Sequence, residues 1–272
     1  MVRRIYLVLI GICLLSFTGR GGFPPGPLQE ELPSIDNHTF RQGEFLKYRI
    51  HYGFITAGFA TLEVMPERYL LQDRVCWHIV GKGYTHPGYD WIYKIRDQYE
   101  TYIDRESLLS WRFNRHIREG GFENYTETYF NHYTYKAEYI NEWKQITVYD
   151  VPANIQDVIS AFYHARTTHT AADMKVGDKI SLRNFLDRKT FDLEAEMLAR
   201  DTVKIGGMSY KTLKFNLLIE EAGLITDGSK IQFWISDDHN KVPLRIKSDL
   251  MIGSLKADLI EWDNLMYELR AL

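Results

Sequence analysis

The first candidate for a functional site is a group of polar side chains in one segment near the middle of the chain. Four residues follow one another at three-residue spacing: Asp157, Ser160, Tyr163 and Arg166. On a helix this spacing places them along one slowly drifting stripe. The stripe could form the polar wall of a ligand groove in which Arg166 binds an anionic group. The simpler interpretation is structural: Asp157 caps the helix, and Arg166 complements the dipole at its C-terminal end.

A second candidate is the loop at residues 84–91, where aromatic rings stand beside turn residues. It carries Tyr84, His86, Tyr89 and Trp91. Tyrosine and tryptophan combine an apolar body with a polar tip, which suits stacking on a sugar or lining a groove for an amphiphile. The loop therefore predicts a binding site for a lipid-like or glycan ligand. The alternative is that these rings belong to the ordinary core of a large sheet.

The third candidate is the pair Asp237 and Asp238, which is followed by His239 and Asn240. Adjacent carboxylates next to a histidine could hold a hard cation or share a proton. Asp and Asn also close turns by binding their own backbone, so a structural turn is the favoured interpretation.

Motifs that would name a reaction are missing from the sequence. It contains no Gly-x-Ser-x-Gly, His-Glu-x-x-His, Cys-x-x-Cys or phosphate-binding Gly-x-x-x-x-Gly-Lys-Ser/Thr pattern, and its nine histidines are scattered. We therefore expect no metal, no cofactor and no assigned catalytic residue. Catalysis stays open only through side chains that folding brings together.

Alternation of apolar and polar residues dominates the chain from about residue 43 onward, which is typical of strands that bury one face. In residues 44–52, for example, Leu46, Tyr48, Ile50 and Tyr52 share one face. The pattern predicts strands at residues 44–52, 59–65, 75–84, 89–103, 108–116, 123–135, 144–148, 179–186, 191–198, 212–220, 230–236, 242–250 and 255–262.

One segment, residues 154–166, has a helical period instead. Its apolar residues Val158, Ala161, Phe162 and Ala165 recur at the spacing of one helix face. Many strands joined by short turns, with a single helix among them, predict a mainly β protein. We expect a large curved antiparallel sheet or open barrel with one mid-chain amphipathic helix.

The N-terminus predicts export. Residues 1–22 have the layout of a secretory signal peptide, residues 23–42 resemble a Pro-rich tether, and residues 43–272 form a single β-rich domain. Removal of the leader removes Cys13 and leaves Cys76, which we expect to be buried and unreactive.

The net charge and the hydropathy of the chain limit the kinds of partner that we expect for it. The formal net charge of −3 argues against a nucleic-acid partner. No later stretch provides the roughly 20 apolar residues of a spanning helix. We therefore expect no transmembrane anchor after leader removal, and a soluble protein of the periplasm or envelope.

Three segments resemble an exported bacterial family that is catalogued as domain of unknown function 3108. They are residues 43–48 (GEFLKY) with 55–60 (ITAGFA), residues 157–166 (DVISAFYHAR), and residues 233–238 (FWISDD) leading to 243–244 (PL). The resemblance implies a curved sheet similar to the YmcC-like and lipoprotein-carrier-like open barrels, and it implies no reaction.

Three functions remain for the structure to separate. The first is a non-enzymatic envelope protein that binds a lipid-like or glycan ligand in an aromatic concavity. The second is an envelope hydrolase that uses Asp157 or Asp237 with a histidine. The third is an assembly partner that binds another envelope protein through a sheet edge or an exposed aromatic patch.

Overall fold

The computed structural model describes residues 31–218, 231–250 and 252–272. These residues form fourteen strands and one α-helix. The first eight strands are β1 (Phe45–Tyr52), β2 (Ile55–Leu71), β3 (Arg74–Thr85), β4 (Arg96–Asp104), β5 (Ser110–Glu119), β6 (Phe122–Asn131), β7 (Lys136–Ile140) and β8 (Ile146–Asp150). The helix α1 (Val158–Thr168) comes before β9 (Lys179–Leu186), β10 (Lys189–Ile205), β11 (Met208–Leu218), β12 (Ile231–Ser236), β13 (Pro243–Asp249) and β14 (Ser254–Asp263).

All fourteen strands join one antiparallel sheet in the order β8-β7-β6-β5-β4-β3-β2-β1-β14-β13-β12-β11-β10-β9. The first and last strands meet at its centre, where Ile50 of β1 lies opposite Ala257 of β14. The sheet is not closed, because its two edge strands β8 and β9 do not pair. The expected mainly β fold, with a curved antiparallel sheet and one mid-chain helix, is confirmed.

Side chains from the two ends of the sheet meet across the interior. Phe185 of β9 packs against two rings from the other end, with centroids 6.1 Å from Phe130 and 5.5 Å from Tyr149. The segment before α1 adds a short parallel bridge, in which Gln156 donates its backbone N–H to Arg183 and accepts one from Phe185. The curled sheet thus surrounds α1.

Large side chains fill the interior on the side of the N-terminal strands, which we call the filled half. Its buried residues include Trp77, Tyr99, Phe113 and Phe130 from β3 to β6. Tyr163 of α1 is fully buried against Phe40, with ring centroids 4.7 Å apart. Strand aromatics such as Phe113 therefore build core, as their alternation suggests.

The alternation predicted for β1 is interrupted near its end. Leu46, Tyr48 and Ile50 are buried as expected, but Tyr52 is exposed. The β1–β2 register shifts between Ile50 and His51, so the simple two-residue period does not hold beyond that point.

Several predicted strands have different bounds in the structure. The strands expected at residues 59–65 and 191–198 are both longer, at Ile55–Leu71 and Lys189–Ile205. The strand expected at residues 89–103 begins only at Arg96, because a 3-10 turn (Pro87–Tyr89) interrupts the chain. The strand expected at residues 123–135 ends at Asn131, whose side chain accepts backbone N–H groups of the following turn. The separate strand β7 was not predicted. Residues 219–220 and 230, which the pattern assigned to strands, lie outside the described residues.

The leader at residues 1–22 and the first part of the predicted tether also lie outside the described residues. The remaining tether residues, 31–42, lie against the sheet, and Phe40 is fully buried in the filled half. Packing of the domain therefore begins before residue 43. The Pro-rich composition of the segment gave no sign of this, because it does not show that Phe40 is buried. Cys76 is buried as predicted, and burial raises the pKa of its thiol to about 12.

Candidate functional site

An elongated cavity of about 280 Å³ lies between α1 and the sheet, where the C-terminal strands β9 to β14 and the neighbouring strands β1 and β2 line it. On the helix it extends from Val158 to Arg166, eight residues or about 12 Å. On β11 it extends from Leu213 to Leu217, about 14 Å of strand. Most of its wall is aliphatic or phenyl carbon, so it is a long apolar space.

Small side chains keep this half of the interior hollow. The helix contributes Ala161 and Ala165, and strands contribute Ala60, Ala195 and Ala257. The buried core of the filled half contains tryptophan, tyrosine and phenylalanine instead. We call the alanine-rich side the cavity half.

The apolar helix face predicted from sequence is the one that borders this cavity. Val158, Ala161, Phe162 and Ala165 all line it. The sequence thus identified the helix side of the site as an apolar face, although it did not reveal the empty space in front of that face.

A buried ion pair lies at the C-terminal end of α1. The Arg166 guanidinium donates to both carboxylate oxygens of Glu44, at 2.6 and 2.9 Å, and its Nε donates to the carbonyl of Asn240 at 3.0 Å. Both side chains are almost fully buried. The anion that Arg166 binds in the structure is therefore Glu44, while the arginine still contributes to the cavity wall.

Lys241 and His169 line the cavity at the same end as Arg166. Among the described residues, Lys241 has no carboxylate in ion-pair contact with its ammonium. Burial and the nearby charge of Arg166 lower the pKa of Lys241, and Asp238 opposes this shift. Burial and the charge of Lys241 likewise lower the pKa of His169. This polar end consequently carries one positive charge that is not neutralised by contact.

Tyr48 of β1 also lines the cavity. It is 4% exposed, and no described residue forms a hydrogen bond with its hydroxyl. Burial raises the pKa of Tyr48, so the hydroxyl stays a neutral donor. A buried hydroxyl without a partner is costly, and a ligand oxygen would satisfy it.

Two members of the predicted polar stripe, Asp157 and Ser160, serve the helix itself. The carboxylate of Asp157 accepts the backbone N–H groups of Ile159 and Ser160, and Ser160 Oγ accepts the N–H of Asp157 at 2.9 Å. This is a capping box. Asp157 also accepts the hydroxyl of Thr101 at 2.5 Å, and burial raises its pKa. Asp157, Ser160 and Tyr163 are fully buried, and only Arg166 of the stripe lines the cavity.

The aromatic loop lies away from the cavity. None of Tyr84, His86, Tyr89 and Trp91 contributes to its wall. Trp91 is 84% exposed, and its indole N–H donates to the Gly88 carbonyl at 3.0 Å. The rings of Tyr84 and His86 pack beside Phe59 on β2. A role for this loop in ligand binding stays a prediction.

The two adjacent aspartates have separate roles. Asp237 pairs with Arg200 at 2.6 Å. Asp238 closes the turn by accepting the Ser236 hydroxyl and the backbone N–H groups of Asn240 and Lys241. In the part of the chain that the structure describes, no three His, Cys, Asp or Glu residues are grouped so that they could hold a metal ion.

Sequence reasoning missed the polar end of the cavity. Lys241 follows a turn and belongs to no motif, and Glu44 is 122 residues from Arg166. Tyr48 was recognised only as part of a buried strand face. Nothing local in the sequence relates these residues to α1.

Comparison with known proteins identifies the family. The sequence pattern of the family described as protein of unknown function (DUF3108) matches residues 47–260. The chain belongs to this family. No curated protein matches it. Among the described residues, no helix combines the length and apolar composition needed to cross a membrane.

Among solved structures, a β-barrel-like protein has a fold of the same kind. A β-barrel-like protein of another family of unknown function, DUF1849, from Brucella abortus aligns with a TM-score of 0.52 at 10% identity, over 82% of this chain and 97% of that one. At this identity the likeness concerns the fold alone. An exported-protein candidate with a YmcC-like fold from Bacteroides fragilis aligns at 12% identity with a TM-score of 0.33, over 85% of this chain and all of that one.

Proposed function

We propose that this protein is an exported, non-enzymatic envelope protein that holds a lipid-like molecule in the cavity between α1 and the C-terminal strands. The observation that carries the proposal is the long, alanine-lined apolar space inside an otherwise well-packed domain. The secretory layout of residues 1–22 supports export to the periplasm or envelope.

The size of the cavity favours a single aliphatic chain. Its volume of about 280 Å³ lies at the lower limit of the roughly 300–1,000 Å³ that ligand pockets usually have. Each methylene that it removes from water contributes about 0.8 kcal/mol. A ligand would also restore dispersion contacts that the cavity wall lacks when it is empty. A hydroxyl-rich glycan would find few hydrogen-bond partners along this wall.

The chemistry of the wall favours binding over hydrolysis. The hydrolase alternative needs a carboxylate and a histidine in reach of the same substrate atoms. No carboxylate lines the cavity among the described residues, and Asp157 and Asp237 are occupied by the helix cap and by Arg200. The proposal therefore uses neither aspartate as a catalyst.

A series of neutral alcohols tests the proposal without any head-group charge. Binding of 1-hexanol, 1-octanol and 1-decanol to the purified protein is measured by isothermal titration calorimetry. We expect the affinity to rise roughly fourfold per methylene until the cavity is full, as 0.8 kcal/mol per group implies.

Two variants locate the binding site. Ala165→Leu places three more carbons at the cavity wall and should abolish binding of 1-decanol. Lys204→Met changes an exposed side chain of β10 outside the cavity and should leave the affinity unchanged. Absence of alcohol binding to the wild type, or equal binding by Ala165→Leu, would contradict the proposal.

A further inference from the structure

The cavity is apolar along its length and polar at one end, where Tyr48, Arg166, His169 and Lys241 meet its wall. We infer that its ligand is a single-chain carboxylate, a fatty-acid-like molecule whose head group binds Lys241 and Tyr48 while its chain lies along α1. This inference rests on the proposed function and adds the charge and orientation of the ligand.

At the polar end, Lys241 is the cation without a contacting anion among the described residues. Arg166 is neutralised by the two-pronged contact with Glu44, and its Nε is occupied by the Asn240 carbonyl. The carboxylate of Asp238 keeps its charge and acts on Lys241 from a distance, while its oxygens accept the Ser236 hydroxyl and backbone N–H groups of its own turn. Lys241 is therefore half-buried without a direct ion pair, and a ligand carboxylate would supply that contact.

The buried hydroxyl of Tyr48 points independently to a polar ligand atom. It is the group in the cavity wall that is both almost fully buried and without a hydrogen bond to the described residues. A carboxylate has two oxygens, so it can accept from the Tyr48 hydroxyl and from the Lys241 ammonium together. An alcohol or a plain hydrocarbon would leave the lysine uncompensated.

The position of the polar end fixes the direction of the chain. Arg166 and His169 lie at the C-terminal end of α1, and Val158 marks the other end of the cavity on the helix. The walls between these ends carry alanine, leucine, isoleucine and phenylalanine, which suit methylene groups. The aliphatic tail therefore extends from Lys241 toward the N-terminal end of α1.

The test compares head groups on one chain length. Decanoate, 1-decanol and decyl phosphate are titrated at pH 7.5 into the wild type, Lys241→Met, and the control Lys204→Met, which removes an exposed lysine of β10 outside the cavity. We expect Lys241→Met to weaken decanoate binding by about tenfold or more, as the loss of a charge-assisted hydrogen bond implies. Binding of 1-decanol should not change, and Lys204→Met should behave like the wild type.

Tyr48→Phe provides a second, independent variant and should weaken decanoate binding several-fold while leaving 1-decanol binding intact. Unchanged decanoate affinity in Lys241→Met and Tyr48→Phe would overturn the head-group inference, even if alcohol binding upholds the proposed cavity. Decyl phosphate binding at least as tight as decanoate would overturn the assignment to a carboxylate. Failure of all three ligands to bind would overturn the proposed function together with the inference.

Discussion

The filled half and the cavity half are built from the same antiparallel sheet, and they differ in the size of the side chains that point inward. The filled half buries Trp77, Tyr99 and Phe130, whereas the cavity half presents Ala60, Ala195 and Ala257. The helix has the same asymmetry, with Tyr163 on one side and Ala161 and Ala165 on the other. A sheet of constant topology can therefore hold both a packed core and a ligand-sized space, and side-chain volume decides which forms.

The largest effect on the free energy of unfolding is expected from breaking the ion pair between Arg166 of α1 and Glu44. Arg166→Met should destabilise the protein by about 3–5 kcal/mol, because the buried charge of Glu44 then loses its cationic partner. The double variant Glu44→Leu with Arg166→Met should recover much of this loss. Urea denaturation of the three proteins measures both values, and a loss below about 1 kcal/mol for Arg166→Met would show that the pair is not a structural support.

Truncation of one ring in each half sharpens the comparison. Phe130→Ala in the filled half should cost about 3–5 kcal/mol, because it opens a hole in close-packed surroundings. Phe215→Ala should cost at least about 1 kcal/mol less, because part of its ring already borders empty space. Equal losses in urea denaturation would mean that the cavity half is as tightly packed as the filled half.

Replacement of an alanine by leucine should affect stability differently in the two halves. Ala137 is fully buried in the filled half, and Ala137→Leu should cost about 1–3 kcal/mol through overpacking. Ala165→Leu should leave the free energy of unfolding unchanged or raise it, since the added carbons enter the cavity. Thermal unfolding of both variants checks this, and a large loss for Ala165→Leu would argue that the space is needed for folding.

The pH dependence of binding should follow Lys241. Decanoate is ionised above about pH 6, so its own titration does not interfere. Burial and Arg166 lower the pKa of Lys241, with Asp238 opposing, so the positive charge is lost at lower pH than for an exposed lysine.

Decanoate affinity should therefore be constant near neutral pH and fall as the pH rises toward 10.5. The pKa of His169 is lowered, so it stays neutral in this range. Calorimetry from pH 7 to 10 measures the trend. A flat profile in the wild type, matching that of Lys241→Met, would remove the lysine from the site.

The smallest effect on the free energy of unfolding is expected in the exposed loop at residues 84–91, which belongs to neither half. Trp91→Ala should change the free energy of unfolding by less than about 0.5 kcal/mol, because the ring is 84% exposed and its N–H donates one local hydrogen bond, to Gly88. A larger loss in urea denaturation would show that the loop at residues 84–91 supports the sheet.

The sequence predicts those strands and helices in which apolar residues recur at a regular spacing within a short segment. Two-residue alternation indicated most strands, and the spacing of Val158, Ala161, Phe162 and Ala165 indicated the helix face that borders the cavity. The helix cap formed by Asp157 and Ser160 could also be predicted, because both residues lie within one turn.

The cavity could not be predicted because it depends on residues that are distant in sequence. An alanine at position 165 matters only because Ala195 and Ala257, from strands β10 and β14, belong to the same wall. The pairing of Arg166 with Glu44 is likewise a property of the folded chain. Turns such as the one at Asn131 ended strands early, because two hydrogen bonds to its side chain outweighed a continuing strand-like composition.

Native mass spectrometry tests the central claim most directly. The wild type and Ala165→Leu would be produced with their leaders, exported, purified gently without detergent, and analysed together with the small molecules that they release. We predict about one aliphatic carboxylate per wild-type chain and none on Ala165→Leu. A wild-type protein that carries no small molecule, or the same molecule on both proteins in equal amount, would contradict the account.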